Sequence, residues 1–155
     1  MAMRQTILPP PILKEVLVRL DPAAAFALFV SLDSWWPRSM TSHPTSGLAK
    51  VVFEAKPGGR WAEIGTDGTL HDVGRVLAVE PARRLLLDWQ LDGDSRYDPN
   101  LHTDLEITFS PDGEGTLVTL EHRNMERFGH QTERRRALLD GGWPMILAAF
   151  AAKAD

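Results

Sequence analysis

The chain of 155 residues contains no cysteine, a single tyrosine, and no apolar stretch near the roughly 20 residues a membrane span requires. Without cysteine there are no disulfides, thiol nucleophiles or thiolate metal sites, which fits a reducing compartment. The five histidines, His43, His71, His102, His122 and His130, form no HxH or HExxH pattern, so no metal is expected. G-x-S-x-G is absent, and neither Gly58-Gly59 nor Gly141-Gly142 carries the lysine of a phosphate loop; no cofactor is expected. Net charge is −4 with the two signs interspersed, and the dense basic run Arg134-Arg135-Arg136 is flanked by Glu133 and Asp140. Nucleic-acid binding is excluded on that balance, and the run reads as the solvated side of a helix. The N-terminus leads into Pro9-Pro10-Pro11 rather than an apolar core, so neither a signal peptide nor membrane insertion is expected, and the expected location is cytoplasmic.

What is present has the size and composition of one domain: the chain is 43% hydrophobic and 25% charged, and a single domain is expected over residues 12–152 after an N-terminal tail at 1–11. Ile12 to Leu20 alternates as a strand. Asp21-Pro22 is an N-cap followed by proline at the first helical position, and Ala23, Phe26, Ala27 and Val30 recur at helical spacing. A second short helix is expected over Ser31 to Trp36, stopped by Pro37, and then a polar lid or rim from Arg38 to Gly47. Six strands follow, near 48–56, 60–66, 69–80, 83–92, 102–110 and 115–124, separated by turn signals such as Asp67-Gly68 and Pro111-Asp112-Gly113. The chain closes on helix formers, with Trp143, Ile146, Leu147 and Phe150 on one apolar stripe. Gly141, Gly142 and Pro144 are expected to break or kink that helix.

Trp35, Trp36, Trp61, Trp89 and Trp143 sit at the entry or end of different elements. A fold that brings these elements together converges the rings, predicting a hollow, aromatic-lined interior that holds a ligand. Strand parity sends Glu63 inward with Trp61, where its carboxylate needs a partner. A two-residue Asp67-Gly68 turn pairs Glu63 with Asp72 and Trp61 with Gly74; a three-residue turn with a glycine bulge pairs Glu63 with His71. The second avoids facing carboxylates and is the expected register. Arg60 and Arg75 remain alternative partners. His122 shares the parity of Val118 and Leu120 and reads as interior, whereas His43, in the rim loop, reads as exposed.

The order β-α-α-six strands-α, together with Trp35-Trp36-Pro37, Gly58-Gly59-Arg60-Trp61-Ala62-Glu63, Asp67-Gly68, Gly74-Arg75-Val76-Leu77, Glu80-Pro81-Ala82-Arg83-Arg84-Leu85, Trp89-Gln90 and Gly142-Trp143, resembles the START-like (SRPBCC) helix-grip superfamily. This group includes lipid-transfer domains, birch-pollen-allergen-like proteins and polyketide cyclases, and the chain is most similar to its bacterial heat-shock ATPase activator homologue-like branch. The resemblance implies an α+β fold in which a curved antiparallel sheet wraps a long C-terminal helix. It also implies a stress-response setting.

The expected function is binding of a small apolar or aromatic ligand between sheet and terminal helix, with Trp35, Trp36, Trp61, Glu63, His71, Trp89, His122, Trp143 and Leu147 as candidate ligand-binding residues. Trp61 is expected to matter for such binding, and Arg135, as a surface residue, is not. Two alternatives stay open: a cyclase- or hydrolase-type enzyme using a pocket acid-base pair, and a chaperone-regulating protein with a protein partner or a homodimeric assembly.

Overall fold

The computed structural model describes residues 7–155; the first six residues of the expected tail lie outside them, and residues 7–11 carry no helix or strand. Strand β1 (Ile12–Val18) is followed by helix α1 (Pro22–Val30). The Asp21 carboxylate caps α1 by accepting the Ala24 N–H at 2.8 Å, with Pro22 at the first turn, as the sequence predicts. In place of the second short helix there is a single 3-10 turn, Leu32–Ser34. Strands β2 (Leu48–Phe53), β3 (Arg60–Gly65), β4 (Leu70–Glu80), β5 (Arg84–Trp89), β6 (Thr103–Asp112) and β7 (Gly115–His122) then form a meander. Strand β1 pairs with β7, giving one antiparallel seven-stranded sheet in the order β1-β7-β6-β5-β4-β3-β2.

The sheet curls around helix α2 (Thr132–Ala154), which makes this an α+β helix-grip fold. Strict alternation along β5, β6 and β7 sends Leu85, Leu87, Leu105, Ile107, Val118 and Leu120 into the core beneath α2, and the predicted helix stripe meets them there. Helix α1 closes one end: Phe29 packs edge-on against Phe109 and Phe150, with centroids 5.7 and 5.2 Å apart.

Helix α2 runs unbroken through Gly141-Gly142-Trp143-Pro144, against the expected break. Two glycines and one proline cost a helix about 5 kcal/mol in all. Leu139, Trp143, Ile146, Leu147 and Phe150 are all buried on α2, and each large side chain so placed contributes about 1.5–3 kcal/mol. Burial wins by that arithmetic. Pro144 lies on the exposed side, where water reaches the Asp140 carbonyl whose helical donor it removes.

Candidate functional site

The β3–β4 hairpin sets the floor of the site. Its turn closes with Gly65 N–H donating to Thr69 O at 2.9 Å, and Gly68 takes φ 82°, a left-handed conformation that glycine adopts without strain. The glycine-bulge register follows, with Glu63 opposite His71 as predicted. A second irregularity between Trp61 and Ala62 leaves Val73 unpaired, so Trp61 still faces Gly74. Gly74 in turn faces Trp89, so one row across three strands reads Trp61-Gly74-Trp89. The two indoles meet edge-on at 5.5 Å, and Gly74 lets β4 approach the β5 backbone, since an added Cβ would lie 1.8 Å from the Asp88 carbonyl oxygen.

The five indoles converge, but they fill space rather than enclose it. Trp35 meets Trp36, Trp36 meets Trp61 and Trp143, and Trp89 meets Trp61 and Trp143, at centroid distances of 5.3 to 6.4 Å. Around Trp61 and Glu63 the remaining space is about 10 Å³, no more than one water. The larger cavity, about 260 Å³, lies between the N-terminal half of α2 and the rim loop. Its walls are Trp36, Trp89 and Trp143, its helix side includes Arg135, Leu139 and Gly142, and Ser39 to Ser42 cover it. Trp36, Met40, Ser42 and Trp89 border both spaces.

Hydrogen bonds hold the rim loop. Trp36 Nε1 donates to Met40 O at 2.8 Å, and the Ser42 N–H donates to both Glu63 carboxylate oxygens at 3.2 and 3.1 Å. His43, expected exposed, is buried: its Nε2 donates to Thr69 O at 2.9 Å and its Nδ1 accepts the Thr45 N–H at 3.3 Å. The first bond docks the loop on the hairpin, and the second fixes the ring within the loop. Glu63 is only 4% exposed, and burial raises its pKa above the usual carboxylate value against the opposing pull of the Thr41 hydroxyl and the Ser42 N–H. Its partner is thus the rim backbone, while His71 bonds elsewhere, Nε2 to Ser95 O at 3.2 Å. Arg60 is taken by Asp72 at 2.8 Å.

His122 lies behind the cavity. Trp143 Nε1 donates to its Nδ1 at 3.2 Å, so the ring proton is on Nε2, which donates to Thr103 Oγ1 at 2.9 Å; that hydroxyl donates to Trp89 O at 2.8 Å. Complete burial pushes the imidazole pKa down to about 3. This chain fixes Trp143 and Trp89, two of the cavity walls. Trp35 and Leu147 belong to the core at the α1 end and border neither space.

Arg135 corrects the sequence reading most sharply: it is 6% exposed, not on a solvated face, and its guanidinium carbon stands 5.7 Å from the Trp89 ring centroid. The signal was present in the spacing. Once α2 is read through Gly141-Gly142, Arg135, Leu139, Trp143, Ile146 and Phe150 fall on one face, with the cation at the head of the apolar stripe.

The sequence model of one family, described as Activator of Hsp90 ATPase homolog 1-like protein, matches residues 24–154. The chain belongs to this family. Among solved structures it is similar to the anthrahydroquino-Gama-pyrone synthase Txn09 complexed with SUM, at 34% identity over 93% of this chain and 96% of that one, with a TM-score of 0.66. The self-sacrificing resistance protein CalC from Micromonospora echinospora is 33% identical over 94% of each chain, with a TM-score of 0.68. The Aha1 dimer from Colwellia psychrerythraea, at 14% identity over 93% and 95% and a TM-score of 0.66, shares the fold. Among curated proteins nothing matches. No helix among the described residues is long and apolar enough to cross a membrane.

Proposed function

We propose that this protein binds a small, flat aromatic molecule in the cavity between α2 and the rim loop. The observation that carries the reading is the cavity of about 260 Å³ with three indole walls. That size is near the ~300 Å³ lower end of small-molecule sites, which favours a compact ring system over a lipid chain. Two relatives above 30% identity support it: one is an anthrahydroquino-Gama-pyrone synthase complexed with SUM, the other a self-sacrificing resistance protein. Trp36, Trp89 and Trp143 supply stacking surface, Leu139 and Ile146 supply apolar area, and the Ser39 to Ser42 backbone covers the guest.

Gly142 offers a test that spares the fold. A Cβ there meets only the mobile end of Met40, Cε at 3.4 Å, so a side chain fits at its base and then occupies the cavity. In Gly142→Leu, affinity for an environment-sensitive aromatic probe should fall at least ~10-fold, while helix propensity improves by roughly 0.8 kcal/mol. Calorimetric titration and a melting curve read the two effects. Unchanged affinity would move binding away from this cavity.

A reaction in the cavity is the second reading, favoured by the synthase relative and by Glu63. Its carboxyl, with a raised pKa, borders the small space that shares Trp36, Met40, Ser42 and Trp89 with the cavity, and it can hold a proton there. Glu63→Gln should then abolish turnover of a supplied substrate and leave probe affinity within ~3-fold. Equal loss of both would reduce Glu63 to holding the rim loop.

A further inference from the structure

Within the basic run, Arg134 pairs with Asp94 at 3.0 Å, and Arg136 donates to the carbonyls of Pro10 and Pro11 at 2.9 and 3.3 Å. Arg135, the buried one, has no such partner. Its one hydrogen bond among the described residues is from Nη1 to Ser95 Oγ at 3.4 Å, which is long, and its Nε has none. The nearest acidic influence is Asp92, whose Oδ1 already accepts the Asp94 and Arg96 N–H groups at 2.8 and 3.0 Å and so shapes its own turn. The indole N–H of Trp89, whose ring the guanidinium overlies, is also without an acceptor among the described residues. Arginine cannot shed its proton to escape burial, and an indole face compensates only in part. The two residues that carry these unpaired donors, Arg135 and Trp89, both line the one cavity.

Resting on the ligand-binding reading of this cavity, we propose that Arg135 anchors an anionic oxygen of the aromatic guest, a carboxylate or an ionised phenol or enol, so that the site selects planar aromatic anions over neutral molecules of equal shape. The cation lies at one end of the cavity's helix wall, and Trp36, Trp89 and Trp143 offer ring faces and edges along it. A guest whose rings lie among the indoles brings its oxygen to the guanidinium terminus, which can take it through two N–H donors. Ser95 stands at the same end in a left-handed conformation, φ 61°, and its turn is held by Gln131 and Arg134 of the α2 entry. The anchor and the turn that positions it are thus tied to one helix.

Naphthoate and naphthamide, alike in shape and different in charge, separate this proposal from the reading beneath it. Titration calorimetry on the full chain should show naphthoate bound at least ~10-fold more tightly, the yield of one charge-assisted hydrogen-bond pair. In Arg135→Gln that preference should vanish while naphthamide affinity stays within ~3-fold, and Arg135→Lys should recover part of it. Thermal melting supplies a readout that a merely structural arginine would not give: Arg135→Met, which removes an unpaired buried charge, should melt at the same temperature or higher. Equal affinity for the two probes in the unmodified protein, or a preference that survives Arg135→Gln, would overturn the anchor and leave the cavity reading standing. Failure of both probes to bind would overturn both. The unmodified protein's ratio decides the matter even if a variant does not fold.

Discussion

Phe150→Ala should destabilise the protein by about 3–5 kcal/mol, the cost of emptying a fully buried aromatic site that its surroundings cannot refill. Phe150 has no exposed surface, and its ring touches Phe29 from α1 at 5.2 Å and Trp35 at 5.3 Å. It lies where α2, α1 and the sheet meet, so collapse into the vacancy requires three elements to move together. Chemical denaturation with an unchanged slope against denaturant measures the effect. A loss below ~1 kcal/mol would mean that α2 is peripheral to the core, which its place under the curled sheet contradicts.

Acidification should destabilise the fold through His122. In the unfolded chain this imidazole takes up a proton near pH 6.5, whereas in the fold it stays neutral down to about pH 3. Between those values the unfolded state binds one more proton, so stability falls as pH falls, by up to about 1.4 kcal/mol for each pH unit. Glu63 acts in the opposite sense: with its folded pKa raised, the fold holds the extra proton between pH 4.5 and that higher value, and acidification there favours the fold. Asp67, whose carboxylate is held low by the Thr45 and Thr69 hydroxyls and the Thr69 N–H, adds to the acid loss only below its ordinary value of 3.8. The His122 loss begins as pH falls below 6.5, above the ordinary carboxylate values, and that is the window to compare. Stability against pH for the unmodified protein and His122→Gln should diverge in slope there, with the variant flatter. Parallel curves would show that His122 is not held neutral.

The contrast between what the sequence discloses and what it hides has a physical basis. Asp21-Pro22, the period-two strands and the stripe from Trp143 to Phe150 are local signals, and the fold obeys them because each is reinforced by burial on the same side. The hairpin register was legible too, since Asp67-Gly68 and the avoidance of facing carboxylates point to one answer. Local signals misled where tertiary packing outweighs them. Gly141-Gly142-Trp143-Pro144 reads as a break and is helix, and the same error hid Arg135, whose side is recognisable only if the helix is continuous. His43 was legible as part of a rim loop but not as buried, because Thr69, its anchor, belongs to a hairpin that folds against it from further along the chain. Of the candidate site residues, Trp36, Trp89 and Trp143 border the cavity, Trp61 and Glu63 surround the separate small space that shares Trp36 and Trp89 with it, and His122 supports Trp143 from behind.

The unbroken contact among the tryptophans has an optical consequence. Rings 5.3 to 6.4 Å apart are close enough to pass excitation to one another, so emission is expected to report on the cluster rather than on one isolated indole. Their fixed tilted and edge-to-face angles also make the near-ultraviolet dichroism a signature of intact packing, lost when side chains loosen even if helices and strands persist. A guest that touches three of the rings should therefore change the emission of the cluster as a whole.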